Sequence, residues 1–255
     1  MQTTAGRRLQ RLPGGFGVAF HPNNQLIATA SSGSALQLWR ADGTLHQTLR
    51  GHQAQVTGAS FSPEGKWLAT TSDDDTLKLW PRQAGERFGV EPLTLNGHNS
   101  RVWRAVWSPD GQMLASASDD GTVRLWRRRT WGGFRTRPDK TLQGHTDKVR
   151  AVAFGPDGQV LASGSDDGMV KLWALDGALL ATLPGHKAGV WGVSFSADGR
   201  TLASASADGT AILWNLDLDD LLASGCTWLH DYLQTNATLS ESDRRLCARV
   251  PLRSR

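Results

Sequence analysis

Four times along this 255-residue chain a histidine, a hydroxyl residue and an aspartate recur at one spacing. The sets are His52, Thr70 and Asp74; His98, Ser116 and Asp120; His145, Ser163 and Asp167; and His186, Ser204 and Asp208. Acyl-transfer catalysis uses these side-chain types, with histidine as base, the carboxylate as its orienter and the hydroxyl as nucleophile. Repetition argues against that use here. A nucleophile needs no four copies, and each hydroxyl falls inside a strand-like run rather than a cleft. Six residues after each aspartate stands a tryptophan: Trp80, Trp126, Trp173 and Trp214. A half-buried carboxylate can accept from imidazole, the imidazole can meet the hydroxyl, and the hydroxyl can accept from the indole N–H. All these residues are therefore expected to be structural.

Little else points to chemistry. His21, His46 and His230 are scattered, with no cysteine or carboxylate at metal-ligand spacing. The glycines sit in turns after Asp or Pro and form no phosphate-binding loop. No cofactor, no metal and no enzymatic activity are expected. The one alternative is a cation or sugar site, should Asp73, Asp119 and Asp166 converge on a central channel.

The elements that carry these residues repeat as well. Eleven tryptophans against one tyrosine suggest a position multiplied by the architecture. Trp39, Trp80, Trp126, Trp173 and Trp214 each end a strand-like run and lie 41, 46, 47 and 41 residues apart. Twelve residues before each stands Ile27, Leu68, Leu114, Leu161 or Leu202, opening a small-residue strand such as Leu-Ala-Ser-Ala-Ser. Upstream again, an alternating apolar strand ends in Phe20, Phe61, Trp107, Phe154 or Phe195. Gly-His pairs precede the last four of those by ten residues. Pro-Glu-Gly, Pro-Asp-Gly (twice) and Ala-Asp-Gly supply the turns. Such units of four short strands cannot bury both faces alone and must stack. Short antiparallel strands with polar turns favour radial closure over a solenoid. The fold class expected is all-β, a propeller of five four-stranded blades, about 1–50, 51–96, 97–143, 144–184 and 185–214, with a helical tail over 215–255.

The Gly-His pair, the strand Ser or Thr, the turn Asp and the strand-end Trp resemble the WD40 repeat over roughly residues 15–214. The resemblance implies a propeller that holds other proteins. Two departures stand out. The first unit has Gly33 in place of the Asp and lacks the Gly-His pair, so its polar chain should be missing and its blade looser. The Asp that gives the family its name is replaced after each Trp by Arg40, Pro81, Arg127, Ala174 or Asn215. Five units fit either a closed five-bladed ring, with residues 8–12 supplying the last blade's outer strand, or an open arc of a longer protein with unpaired edges that invite a second copy. The tail resembles the C-terminus of bacterial multi-domain WD-repeat signalling proteins, which implies a fused effector domain as one partner.

Partners would dock, by that resemblance, on the face bearing the loops before the innermost strands. Arg101, Trp103, Lys148, Arg150 and Trp191 occupy it, with Asp73, Asp119 and Asp166 in the neighbouring turns. Trp and Arg are the residue types that dominate binding hot spots; for Trp103 and Trp191 a packing role competes with this. A second candidate surface is the longer connection at 127–140, where Arg127, Arg128, Arg129, Arg135 and Arg137 surround Trp131 and Phe134. Basic residues with interleaved aromatics can grip nucleic acid or another anion; the alternative is a solvated loop. A net charge of +4 permits anionic partners without demanding them. No apolar run suits a signal peptide or a membrane span, and Cys226 and Cys247 are expected to be reduced. A cytoplasmic protein is the expectation.

Overall fold

The computed structural model describes residues 15–30, 33–129, 133–217, 221 and 226. Within them every strand pairing is antiparallel and the strands form five sheets in chain order. Blade 1 comprises β1 (Val18–Phe20), β2 (Leu26–Ala30), β3 (Ala35–Arg40) and β4 (Leu45–Arg50). Blade 2 comprises β5 (Val56–Phe61), β6 (Trp67–Ser72), β7 (Leu77–Pro81) and β8 (Leu93–Leu95). Blade 3 has β9 (Val102–Trp107), β10 (Met113–Ser118), β11 (Val123–Arg127) and β12 (Lys140–Leu142). Blade 4 has β13 (Val149–Phe154), β14 (Val160–Ser165), β15 (Met169–Ala174) and β16 (Leu179–Pro184). Blade 5 has β17 (Val190–Phe195), β18 (Thr201–Ser206) and β19 (Ala211–Asn215). It carries three strands among the described residues, in line with the absence of an outer-strand pattern after Trp214.

Turn chemistry explains the first hairpin of each blade. Gly65, Gly111, Gly158 and Gly199 take positive φ there, and in blade 1 Asn24 does so at φ 60°. Asparagine tolerates the left-handed region better than most residues. Gly65 is fixed twice over, since a Cβ would also lie 2.5 Å from the ring of His21. That ring is buried and faces the Gly65 carbonyl at 3.1 Å, tying blade 1 to blade 2.

The core lies between blades. Each sheet offers small residues and leucine to the blade after it and large aromatics to the blade before it. Ala28, Leu36 and Leu38 of blade 1 share a buried cluster with Phe61, Leu68 and Trp80 of blade 2. Ala69, Leu77 and Leu79 meet Trp107, Leu114 and Trp126 in the same way. Ala115, Val123 and Leu125 then meet Leu161 and Trp173, and Ala162, Val170 and Leu172 meet Leu202 and Trp214. Large into small is how close packing is reached without voids. The innermost strands touch in the order β1, β5, β9, β13, β17, and no comparable contact returns from β17 to β1 among the described residues. Residues 8–12, offered above as a closing strand, lie outside the described residues, as does the tail apart from 215–217, Leu221 and Cys226. Cys226 is buried and disulfide-bonded, which corrects the expectation of a reduced thiol. Compartment reasoning alone does not see such a pairing.

Candidate functional site

The four polar chains close with uniform geometry. In blade 3 the His98 Nδ1 lies 2.8 Å from Asp120, its Nε2 lies 2.7 Å from the Ser116 hydroxyl, and the Trp126 indole donates to that hydroxyl at 3.0 Å. Blades 2 and 4 repeat this through His52, Thr70, Asp74 and Trp80 and through His145, Ser163, Asp167 and Trp173, with distances of 2.8–3.0 Å. In blade 5, His186 reaches Asp208 at 3.1 Å and Ser204 at 2.7 Å, while Trp214 donates to Ser204 at 2.8 Å. A carboxylate can only accept, so Nδ1 carries the proton, and Nε2 accepts from a hydroxyl that itself accepts from indole. Thr70, Ser116, Ser163 and Ser204 are buried and held on both sides, so no substrate can approach them as nucleophiles. Blade 1 keeps half of this chain: Trp39 donates to Thr29 at 2.9 Å, with no histidine or aspartate behind it.

Burial alone would raise the Asp74 and Asp120 carboxyls. Hydrogen bonds from His52 and Thr76, and from His98 and Thr122, reverse that and hold both well below the usual carboxylate range. Burial pushes the His98 and His145 imidazoles below their ordinary value, against the opposing pull of Asp120 and Asp167. The sign of the pH dependence follows. A lowered folded value means the unfolded chain takes up protons first, so the contribution is complete above the unfolded histidine value, near 6.5, and is lost as pH falls below it. The melting temperature should therefore drop between pH 7.5 and pH 5.5. Thermal melts across that range showing a flat or rising profile would contradict it.

The other recurrent feature sits where the innermost strands begin. Each of β5, β9, β13 and β17 slips register by one residue. The extra residue is Thr57, Trp103, Arg150 or Trp191 in turn. A bulge re-aims the side chain it leaves unpaired. Here all four, with Phe16 at the matching position of blade 1, line one cavity of about 470 Å³ together with Arg104. One residue from every blade thus converges at the mouth of this cavity.

Charged and aromatic groups rigidify three sides of this mouth. Arg101 donates to Asp73 of the preceding blade at 2.7 Å and lies 4.8 Å from the centre of the Trp103 ring. Arg150 lies 4.6 Å from the same ring, bonds Asp166 at 2.9 Å and reaches Asp119 of the preceding blade at 3.3 Å. The Trp103 indole donates to Asp119 as well. Asp73, Asp119 and Asp166 are thereby engaged by guanidinium or indole rather than converging on a cation, and among the described residues no three potential ligands gather for a metal. Lys148 stands exposed on the rim. The network stops at blade 5, where Ala207 replaces the turn aspartate. Trp191 consequently has no carboxylate partner among the described residues and is 61% exposed. Phe16, 67% exposed, meets Trp103 edge-on with centroids 6.1 Å apart. Sequence reasoning missed Phe16 and Arg104; Thr57, Trp103, Arg150 and Trp191 each stand four residues before the strand-end aromatic, and the same count back from Phe20 would have found Phe16.

The described residues of the basic connection are tied to the blades. Phe134 is buried against Trp107 and Trp67, with centroids 5.6 and 6.1 Å away, and Arg128 pairs back to Phe134 through a β-bridge. Arg128 also binds Glu64 of blade 2 at 3.1 Å, and Arg135 lies 3.7 Å from Asp139. Arg127, Arg129 and Arg137 are exposed. Trp131 lies outside the described residues. The connection after β7 uses the same device, a buried Phe88 bridged to Arg82.

Antiparallel blades in sequence, bulged at the axis and laced by repeated relays, define a propeller-type repeat protein. Comparison with protein families agrees. The family WD40 (WD domain, G-beta repeat) matches residues 9–40, 43–81, 89–127, 136–174 and 177–215, so the chain belongs to it. No curated protein matches the chain. Among the described residues no helix is long and apolar enough to cross a membrane.

Proposed function

We propose that this protein is a non-enzymatic scaffold that captures a protein partner at the mouth of this cavity. One observation carries the proposal: five bulge-level side chains, one per blade, converge on a single cavity, and two of them, Phe16 and Trp191, remain largely exposed. Exposed large aromatics beside a preorganised guanidinium network have the composition of a hot spot. In this reading Trp191, Phe16 and Arg104 contact the partner and Lys148 steers it. Trp103, Arg101, Arg150, Asp73, Asp119 and Asp166 hold the platform rigid, so that little ordering entropy is lost on binding. Membership of the WD40 family supports such a role. A signalling function with a fused effector domain is the finer version of it.

Trp191→Ala should reduce partner capture at least about tenfold, as loss of a hot spot does, while shifting stability by less than about 0.5 kcal/mol because the side chain is exposed. Retention of lysate proteins on immobilised wild type and variant, each with and without nuclease, measures this. Equal retention by both would refute the assignment.

A second reading is favoured by the exposure of Arg127, Arg129 and Arg137 on one connection, where they would meet nucleic acid or another anion. In that case retention is nuclease-sensitive, and joint replacement of Arg127, Arg128 and Arg129 by alanine removes its salt-dependent part.

A further inference from the structure

Among the described residues there are four blade-to-blade interfaces, and they define what the two outermost sheet faces lack. On the face a blade turns to its successor, Leu38, Leu79, Leu125 and Leu172 occupy equivalent positions and are at most 8% exposed. The same position in blade 5 is Leu213, at 73%. Ala205 and Ala211 beside it are exposed too, whereas their counterparts Ala117 and Val123 are buried. On the face a blade turns to its predecessor, Phe61 and Trp107 are each 8% exposed, yet the matching Phe20 of blade 1 is 63% exposed. Beside it Val18 is 67% exposed. Ile27 is only partly covered, where Leu68, Leu114, Leu161 and Leu202 are fully buried.

Both bare faces have known complements. Within the chain, small residues and a leucine always receive an aromatic and a leucine from the next blade. Blade 5 presents the receiving set and blade 1 the inserting set, both without a charged residue at these positions. We propose that the blade 5 face of one copy docks on the blade 1 face of a second copy, Phe20, Val18 and Ile27 packing against Leu213, Ala205 and Ala211. The contact continues the interface that joins every other pair of blades. It is heterologous, so each copy offers one donor face and one acceptor face, and association propagates beyond the dimer unless the rotation closes it.

The test uses the full chain and two exposed-site variants, Phe20→Glu and Leu213→Glu. Neither side chain contributes to a buried cluster, and unchanged thermal melts verify folding. In sedimentation velocity, wild type should show species that grow with concentration up to ~100 μM, the range of weak specific contacts. Each variant alone should be monomeric at the same concentration, because its one surviving face finds no complement. Mixed in equal amounts, the variants should form a 1:1 dimer and nothing larger, since one copy supplies an intact blade 1 face and the other an intact blade 5 face. A monomeric wild type would overturn the proposal and mean that something other than a second copy covers these faces. Variants that still associate alone, or a mixture that stays monomeric, would overturn it equally.

Discussion

His98→Ala should destabilise the protein by about 3–5 kcal/mol, far beyond what its small contact area suggests. The ring fills the gap between Asp120 and Ser116, and both partners are almost wholly shielded from water. Removing it strands a carboxylate that burial would otherwise drive towards protonation and leaves a hydroxyl without its acceptor. Each buried group left unpaired costs about 1–3 kcal/mol, and more when charged. Ser116→Ala should cost somewhat less alone, since it strands only the imidazole nitrogen and the Trp126 indole. The two changes together should cost clearly less than their sum, because they break one network. Blade 1 supplies the internal control. Thr29→Val removes the single bond from Trp39 and should cost about 1–2 kcal/mol, as one buried hydrogen bond does. Urea denaturation of the four variants reads all of this. A cost below about 1 kcal/mol for His98→Ala, or strict additivity with Ser116→Ala, would show that the relay is not a unit.

Phe134→Ala should cost about 3–5 kcal/mol, the usual range for emptying a phenylalanine-sized site in a packed interior. The ring sits in the cluster between blades 2 and 3, edge-on to Trp67 and Trp107. A solvated loop would lose nothing measurable from the same change. Chemical denaturation therefore distinguishes a pinned connection from a free one, and a change within about 0.5 kcal/mol, typical of surface sites, would contradict the packing. Phe16→Ala should behave in that second way, since most of its surface already faces solvent.

The relays were legible because they are local in pattern even though not in space. Four residue types at constant offsets, repeated four times, leave little freedom for another arrangement. The outward positions Trp103, Arg150 and Trp191 were legible by counting from the strand start, although the bulges that re-aim them were not, since a register slip leaves no mark on composition. Contacts between blades stayed hidden. Asp73 with Arg101, Asp119 with Arg150, and His21 with Gly65 join residues whose distance in the chain carries no periodic signal. The buried Phe88 and Phe134 did leave a trace: each stands eight residues after its blade's tryptophan. For the second connection the sequence left an anion contact and a solvated loop side by side; it gave no sign that Arg128 reaches Glu64 of the preceding blade, and the shared spacing alone did not show that Phe134 is buried. The half-relay of blade 1 is a similar lesson, for the loss of His and Asp did not abolish the indole bond.

The claim that the cavity mouth is the docking surface can be read directly from where a partner touches. A photo-crosslinking residue placed at Trp191 should yield adducts with another protein, and the same residue at Val90, 73% exposed on the outer connection of blade 2, should yield none above background. Adducts at Val90 equal to those at Trp191, or none at Trp191 while the protein still retains its partner, would contradict the account.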